Sequence, residues 1–233
     1  FLAFASCSTP KAQGTKDGIY LPTATGQSET DEYTRYELLA PGSGKFKITY
    51  EVTATSAGAK HYYNPIRKGS AATEESVLDA MTGKQLQFEV VSGAEARKDP
   101  LMAHADLDTH YNKVALARPV PVNGQGRIVI IKTYEDAKSY FVDGKTIVFD
   151  RPLGVRRNKV VLPAGYEVVG LTVPSQLLTE SDGRIAISFL NNSGAPAPVV
   201  LRATKTAQTG AAAAPKAATK NRSWESPFEG ETE

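Results

Sequence analysis

Between residues 33 and 202 apolar and polar side chains alternate with a period of two, and that period restricts the chain to strands. In Phe46-Lys47-Ile48-Thr49-Tyr50-Glu51-Val52-Thr53 every second residue is apolar. A strand sends successive side chains to opposite faces. Phe46, Ile48, Tyr50 and Val52 therefore turn to a core, while Lys47, Thr49, Glu51 and Thr53 turn to water. Residues 77–81, Thr82-Gly83 and Leu86-Gln87-Phe88-Glu89-Val90 read as a hairpin, with the Gly at a turn that needs positive φ. Ile128-Val129-Ile130-Ile131 is apolar on both faces, which predicts that 127–134 is a central strand covered on both sides. Further strands are expected at 146–149, 159–162, 166–173, 184–190 and 198–203. Asp143-Gly144, Pro152-Leu153-Gly154, Pro163-Ala164-Gly165 and Asp182-Gly183 supply turn chemistry between them. A strand about every ten residues is the spacing of a sandwich or barrel. The stretch 94–109 is the least strand-like and suits a loop or a short helical turn. The expected fold is all-β, a β-sandwich-like body at 33–202.

The flanks differ from that body. Residues 8–32 are rich in Ser, Thr, Gly, Lys and Gln and nearly free of large apolar side chains, which predicts a flexible linker. Residues 203–233 read as a disordered Ala/Thr/Pro-containing tail, with Trp224 and Phe228 flanking Ser226-Pro227. The single Cys of the 233 residues excludes an intrachain disulfide, so burial must supply stability. A formal net charge of +2 gives no field that would draw the chain to nucleic acid or to an anionic membrane surface. No apolar run reaches the length of a membrane-spanning helix.

Residues 1–7 read as a signal remnant with its processing site. Ala5-Ser6-Cys7 resembles the lipobox of bacterial lipoproteins, in which the Cys becomes the acylated first residue. The match departs at Phe4, where that family usually has Leu. The resemblance implies lipidation of Cys7 and a lipoprotein of the bacterial envelope, periplasm-facing or at the surface. Ala3-Phe4-Ala5 is a competing A-x-A cut that would release a periplasmic or secreted protein starting at Ser6.

Few residues suggest chemistry. Gly42-Ser43-Gly44-Lys45 and Gly144-Lys145-Thr146 resemble phosphate loops, but both lead into strands, so no helix N-terminus can receive a phosphate. His104, Asp106, Asp108 and His110 are the candidate metal ligands. On a strand they would share one face, yet same-face Cα atoms lie about 6.5–7 Å apart, so the two His could share an ion only if the segment curled. A solvated polar loop is the better reading. No Gly-x-Ser-x-Gly or His-Glu-x-x-His motif occurs. Arg151, Arg156 and Arg157 cluster around a Pro/Gly turn and could bind an anion through their planar forks of donors. The favoured reading is a hairpin tip with Asp150 paired to an Arg. Tyr62, Tyr63, Tyr134 and Tyr140 could form a stacking surface, but half-buried strand tyrosines are commoner.

A strand-rich segment, the Thr-Gly turn near Met81, and Pro174-Ser175-Gln176 followed by Asp182-Gly183-Arg184 together resemble the N-terminal β-domain of M1-type aminopeptidases. The resemblance spans about 36–202 and implies an accessory β-domain without the zinc-binding catalytic domain, so no catalytic residue carries over. The expected function is a non-catalytic binding or structural module at the bacterial cell envelope, with no cofactor. Its partner would be another envelope protein or a small ligand, with no nucleic acid, and it would touch membrane only through Cys7. The alternative is a metal-dependent hydrolase or metal-binding protein using residues 104–110.

Overall fold

The structure, a computed structural model, describes residues 13–14, 20–21, 26–69 and 71–206. Cys7, Trp224 and the expectations attached to them lie outside the described residues. The strands β1 (Gln13–Gly14) and β2 (Tyr20–Leu21) pair with each other antiparallel.

The body holds β3 (Glu29–Leu38), β4 (Lys45–Ala54), β5 (His61–Pro65), β6 (Ala71–Asp79) and β7 (Phe88–Ser92). After the helical turns α1 (Gly93–Ala96) and Pro100–Met102 come β8 (His110–Ala115), β9 (Gly126–Glu135), β10 (Tyr140–Asp143) and β11 (Thr146–Leu153). The chain continues through β12 (Arg157–Val161), β13 (Tyr166–Leu171), β14 (Gln176–Thr179), β15 (Ile185–Leu190) and β16 (Ala197–Lys205). A seven-stranded sheet runs β14-β15-β12-β3-β4-β9-β6. A four-stranded sheet, β10-β11-β16-β13, and a three-stranded sheet, β5-β8-β7, share a core with it.

The alternation in β4 sets the inner face. Phe46, Ile48, Tyr50 and Val52 are buried, Lys47 and Glu51 are exposed and Thr49 is half-buried, but Thr53, expected to face water, is buried. Opposite them on β9 stand Tyr134, Lys132, Ile130 and Ile128, paired with Phe46, Ile48, Tyr50 and Val52. The four-stranded sheet closes over Phe46 and Tyr36 through Phe149, with ring centroids 5.5 and 5.7 Å apart. Such edge-on and tilted aromatic contacts contribute beyond their buried area. The three-stranded sheet closes over Tyr50 through Tyr62, whose hydroxyls lie 3.5 Å apart. A smaller cluster of Tyr63, Val91, Ala96, Ala105 and Tyr111 lies under the 93–109 segment.

Four expectations are corrected by tertiary pairing. After Asp79 the chain does turn through Gly83, but only the bridge Leu78↔Gln85 forms before β7 leaves to pair with β8 in another sheet. The strand 127–134 is paired on both sides, yet Val129 and Ile131 are only half-buried on its outer face. The body begins at Glu29 rather than after residue 32, because β3 pairs with β4 as far as Glu29↔Ala54, and it runs through Lys205. Pro152 lies within β11 instead of at a hairpin tip, opposite Pro198 and beyond the residues paired with β10. Proline is tolerated there because that stretch has a strand on one side only. The Gly42-Ser43-Gly44 segment is the β3–β4 turn. Gly44 is required there: its φ is +67° and a Cβ would sit 3.1 Å from the Ala137 backbone.

Candidate functional site

Four strands carry a polar residue on their inward register, where the period-two rule calls for an apolar one. These are Thr34 on β3, Asn64 on β5, Lys132 on β9 and Arg151 on β11, all buried. They line one cavity of about 300 Å³ between the seven-stranded sheet and the two sheets that cover it. Tyr36, Tyr50, Tyr62 and Tyr134 form its walls. Its exposed lining residues, Glu29, Pro65, Arg67 and Gly154, mark its mouth.

Lys132 is only 4% exposed. Its Nζ donates to Asn64 Oδ1 at 3.0 Å and lies 5.0 Å from the Tyr134 ring centroid. Among the described residues no carboxylate comes within ion-pair distance of it. Burying an ammonium group is expensive unless an anion and further hydrogen bonds compensate it. Arg151 is also 4% exposed, and its guanidinium sits 5.3 and 5.5 Å from the Phe46 and Tyr134 ring centroids. Its Nη1 pairs with Asp136 Oδ2 at 3.1 Å, while its Nε has no hydrogen-bond partner among the described residues. Arg67 is exposed at the mouth and forms no ion pair among the described residues. Burial, followed by the charge of Arg67, lowers the Arg151 pKa from its ordinary value.

Asp136 is fixed from several sides. It accepts from the Ser139 hydroxyl at 2.6 Å and from the Lys138 and Ser139 amides at 3.2 Å each. Burial alone would raise its carboxyl, but these donors and Arg151 outweigh that and hold it below the usual carboxylate range.

The other end of the cavity is acidic. The Tyr62 hydroxyl donates to Glu29, and the Tyr50 hydroxyl donates to Glu32 at 3.1 Å. Glu29 is exposed as a residue, yet its carboxyl meets Tyr62, which is 1% exposed. Burial, then the hydrogen bond with Glu32, pushes the Glu29 carboxyl up from 4.5 to about 8. Burial also raises both tyrosine hydroxyls. Between pH 4.5 and about 8 the unfolded chain has therefore lost this proton while the folded chain keeps it. Stability from this group must fall as pH rises through that window. Glu29→Gln should remove the fall, by on the order of 1 kcal/mol after solvent screening at the mouth. Urea unfolding of both proteins at pH 5 and pH 8.5 checks this; parallel pH profiles would contradict it.

Two other hollows carry less chemistry. In one of about 490 Å³ beside β5, Lys98 pairs with Glu95, Lys113 with Glu89, and the Tyr63 hydroxyl with Asp99, and Lys60 also lines it. Another, of about 690 Å³, is lined by Arg157 as its one charged residue.

The structure separates the residues that sequence reading grouped. Residues 103–109 form a loop, so His104, Asp106, Asp108 and His110 share no strand face. Asp106 is used internally: its carboxylate accepts from Asp108 N and Thr109 Oγ1 at 2.9 Å each, and the first of these bonds leads in lowering its pKa. Lys68 Nζ lies 3.9 and 3.8 Å from Asp106 and Asp108. Among the described residues no three His, Cys, Asp or Glu side chains are placed to hold a metal ion. Arg151 points into the core and pairs with Asp136, not with Asp150. Arg156 and Arg157 are exposed, and Arg157 Nε donates to the Glu32 carbonyl at 3.3 Å, so no three-arginine cradle forms. Of the four tyrosines, all are buried, and Tyr62 and Tyr134 line the cavity. Sequence reading missed Lys132, Asn64 and Thr34. The available signal was a polar residue in phase with an apolar face, as in Ile128-x-Ile130-x-Lys132-x-Tyr134.

No family model matches the chain, and no curated protein matches it in sequence. Among solved structures it is similar to an M1 zinc metallopeptidase from Deinococcus radiodurans, with a TM-score of 0.48 and 12% identity over 77% of this chain and 42% of that one. It is also similar to an aminopeptidase N family protein from Idiomarina loihiensis, with a TM-score of 0.44 and 11% identity over 73% of this chain and 29% of that one. The chain thus spans less than half of either structure. No residue's role is carried over from either.

Proposed function

We propose that this chain is a non-catalytic binding module whose ligand site is the cavity between its sheets. One observation carries the reading. Lys132 is a buried cation without an ion-pair partner among the described residues, and it lines a hollow also lined by Arg151, whose buried Nε has no hydrogen-bond partner among them. A core selected only for packing would place an apolar side chain at both positions. Small-ligand sites combine aromatic walls with a few convergent polar groups, and about 300 Å³ is at the lower end of their usual size. The Ala5-Ser6-Cys7 pattern supports a place for the module at the bacterial envelope, where an acyl mass on Cys7 of the mature protein would be expected.

A thermal-shift screen of the purified protein against small organic acids, sugars, sugar phosphates and amines tests the binding reading. At least one class should raise the unfolding midpoint with a saturable dose dependence, because a ligand that binds only the folded state stabilises it. If no class does so at millimolar concentration, the cavity is a packing feature and the proposal fails.

A further inference from the structure

The cavity has a direction, and the direction specifies a ligand. Register places Lys132 opposite Ile48 and Tyr134 opposite Phe46, whereas Tyr50, which holds Glu32, lies two residues further along β4. One same-face step along a strand is about 6.5–7 Å. Cationic donors therefore occupy one end of the hollow and carboxyl acceptors the other. At the cationic end, Lys132 Nζ and Arg151 Cζ both face the Tyr134 ring, 5.0 and 5.5 Å from its centroid. Lys132 spends one hydrogen bond on Asn64, and an ammonium has three to give. Arg151 Nε has no partner among the described residues, and Arg67 stands exposed at the mouth. The Asp136 carboxylate balances Arg151 from outside the cavity lining, and Lys132 has no counter-charge among the described residues. Along the other wall Glu29, at the mouth, and Glu32 accept hydrogen bonds from Tyr62 and Tyr50, so their carboxyls are held at the cavity wall.

We infer that the ligand is a small molecule bearing an oxyanion, a carboxylate or a phosphate monoester, with hydrogen-bond donors on its opposite side. The oxyanion accepts from Lys132 Nζ and Arg151 Nε, with Arg67 guiding its entry, and the donors face Glu29 and Glu32. This inference rests on the binding-module reading above. Oxyanions are the natural partner of such groups, because charge-assisted bonds are roughly twice as strong as neutral ones and supply the compensation Lys132 lacks.

Isothermal titration at low ionic strength with six probes tests it: acetate, inorganic phosphate, galacturonate, glucose 6-phosphate, glucose and ethanolamine. Galacturonate or glucose 6-phosphate should bind about tenfold or more tightly than acetate or phosphate, since they add donors for the acidic end. Glucose and ethanolamine should bind more weakly than either by at least a similar factor. Lys132→Met should lose about tenfold or more of the oxyanion affinity. Arg67→Ala, an exposed substitution that spares the core, should weaken binding and its salt dependence together. Which of the carboxylate and the phosphate binds identifies the headgroup. Neutral glucose binding as tightly as its phosphate, or oxyanion affinities unchanged in both variants, would overturn the inference and leave the binding module standing. Failure of all six probes, with a positive thermal-shift result for another class, would overturn it in the same way. Failure of every class in both experiments removes the binding module itself.

Discussion

Replacing Asp136 with alanine should destabilise the body by about 3–5 kcal/mol, because it strands a buried guanidinium. The side chains of Arg151 and Asp136 are 5% and 11% exposed, and their contact is 3.1 Å. Arg151 reaches the interior on β11, its Cζ 5.3 and 5.5 Å from the Phe46 and Tyr134 ring centroids, and Asp136 is the one carboxylate paired with it among the described residues. The same substitution removes the acceptor for Ser139 Oγ and for two amides of the β9–β10 turn. Asp136→Asn should cost less, since the amide oxygen can still accept from the turn. The pH dependence has a definite sign. The folded pKa of Asp136 is depressed, so its contribution is complete above the unfolded value of 3.8 and is lost as pH falls through the folded value. Wild type and Asp136→Ala should therefore converge in stability in acid. Urea unfolding at pH 7 and pH 3 measures both effects, and a loss below about 1 kcal/mol at pH 7 would show that Arg151 is neutralised elsewhere.

Lys132→Met should act in the opposite direction and raise stability in ligand-free solution by about 1–2 kcal/mol. Methionine keeps the length and most of the volume of the stem, so little cavity is created. It removes a buried charge that has, among the described residues, one neutral acceptor and one ring for company. The gain is reduced because Asn64 Oδ1 loses its donor, a penalty of about 1 kcal/mol if the group finds no substitute. Stabilisation coupled to loss of ligand binding is the signature of a residue retained for function at the expense of the fold. A destabilisation of about 2 kcal/mol or more would mean that Asn64 and Tyr134 satisfy the ammonium, and that Lys132 is structural.

Period two revealed the inner face of β4 directly, because there the pattern is unbroken from Phe46 to Val52. It was less informative at β5, where His61-Tyr62-Tyr63-Asn64-Pro65 mixes polar and aromatic residues on both faces. The 77–90 hairpin failed for a tertiary reason: the turn is real, but β7 finds its partner in β8, and no local pattern encodes which sheet a strand joins. The site was half legible. Arg151 belongs to the window 150–158, whose three arginines suit an anion site, but Pro152 and Gly154 within it suit the tip of a turn. Once β11 continues to Leu153, Arg151 falls in phase with Ile147, Phe149 and Leu153 and must point inward. Lys132 was hidden by the Ile run before it, whose two-sided apolarity concealed which face was the core. Register across β4 and β9 decides that, and register is a long-range property.

The most direct measurement is a nuclear magnetic resonance titration that follows the Lys132 Nζ and Arg151 Nε resonances while a carboxylate or phosphate probe is added. These two side chains should shift together and saturably, with Tyr134 responding and the surface Arg202 unaffected. Shifts confined to Arg202 and other surface cations, with Lys132 and Arg151 unmoved at saturation, would contradict this.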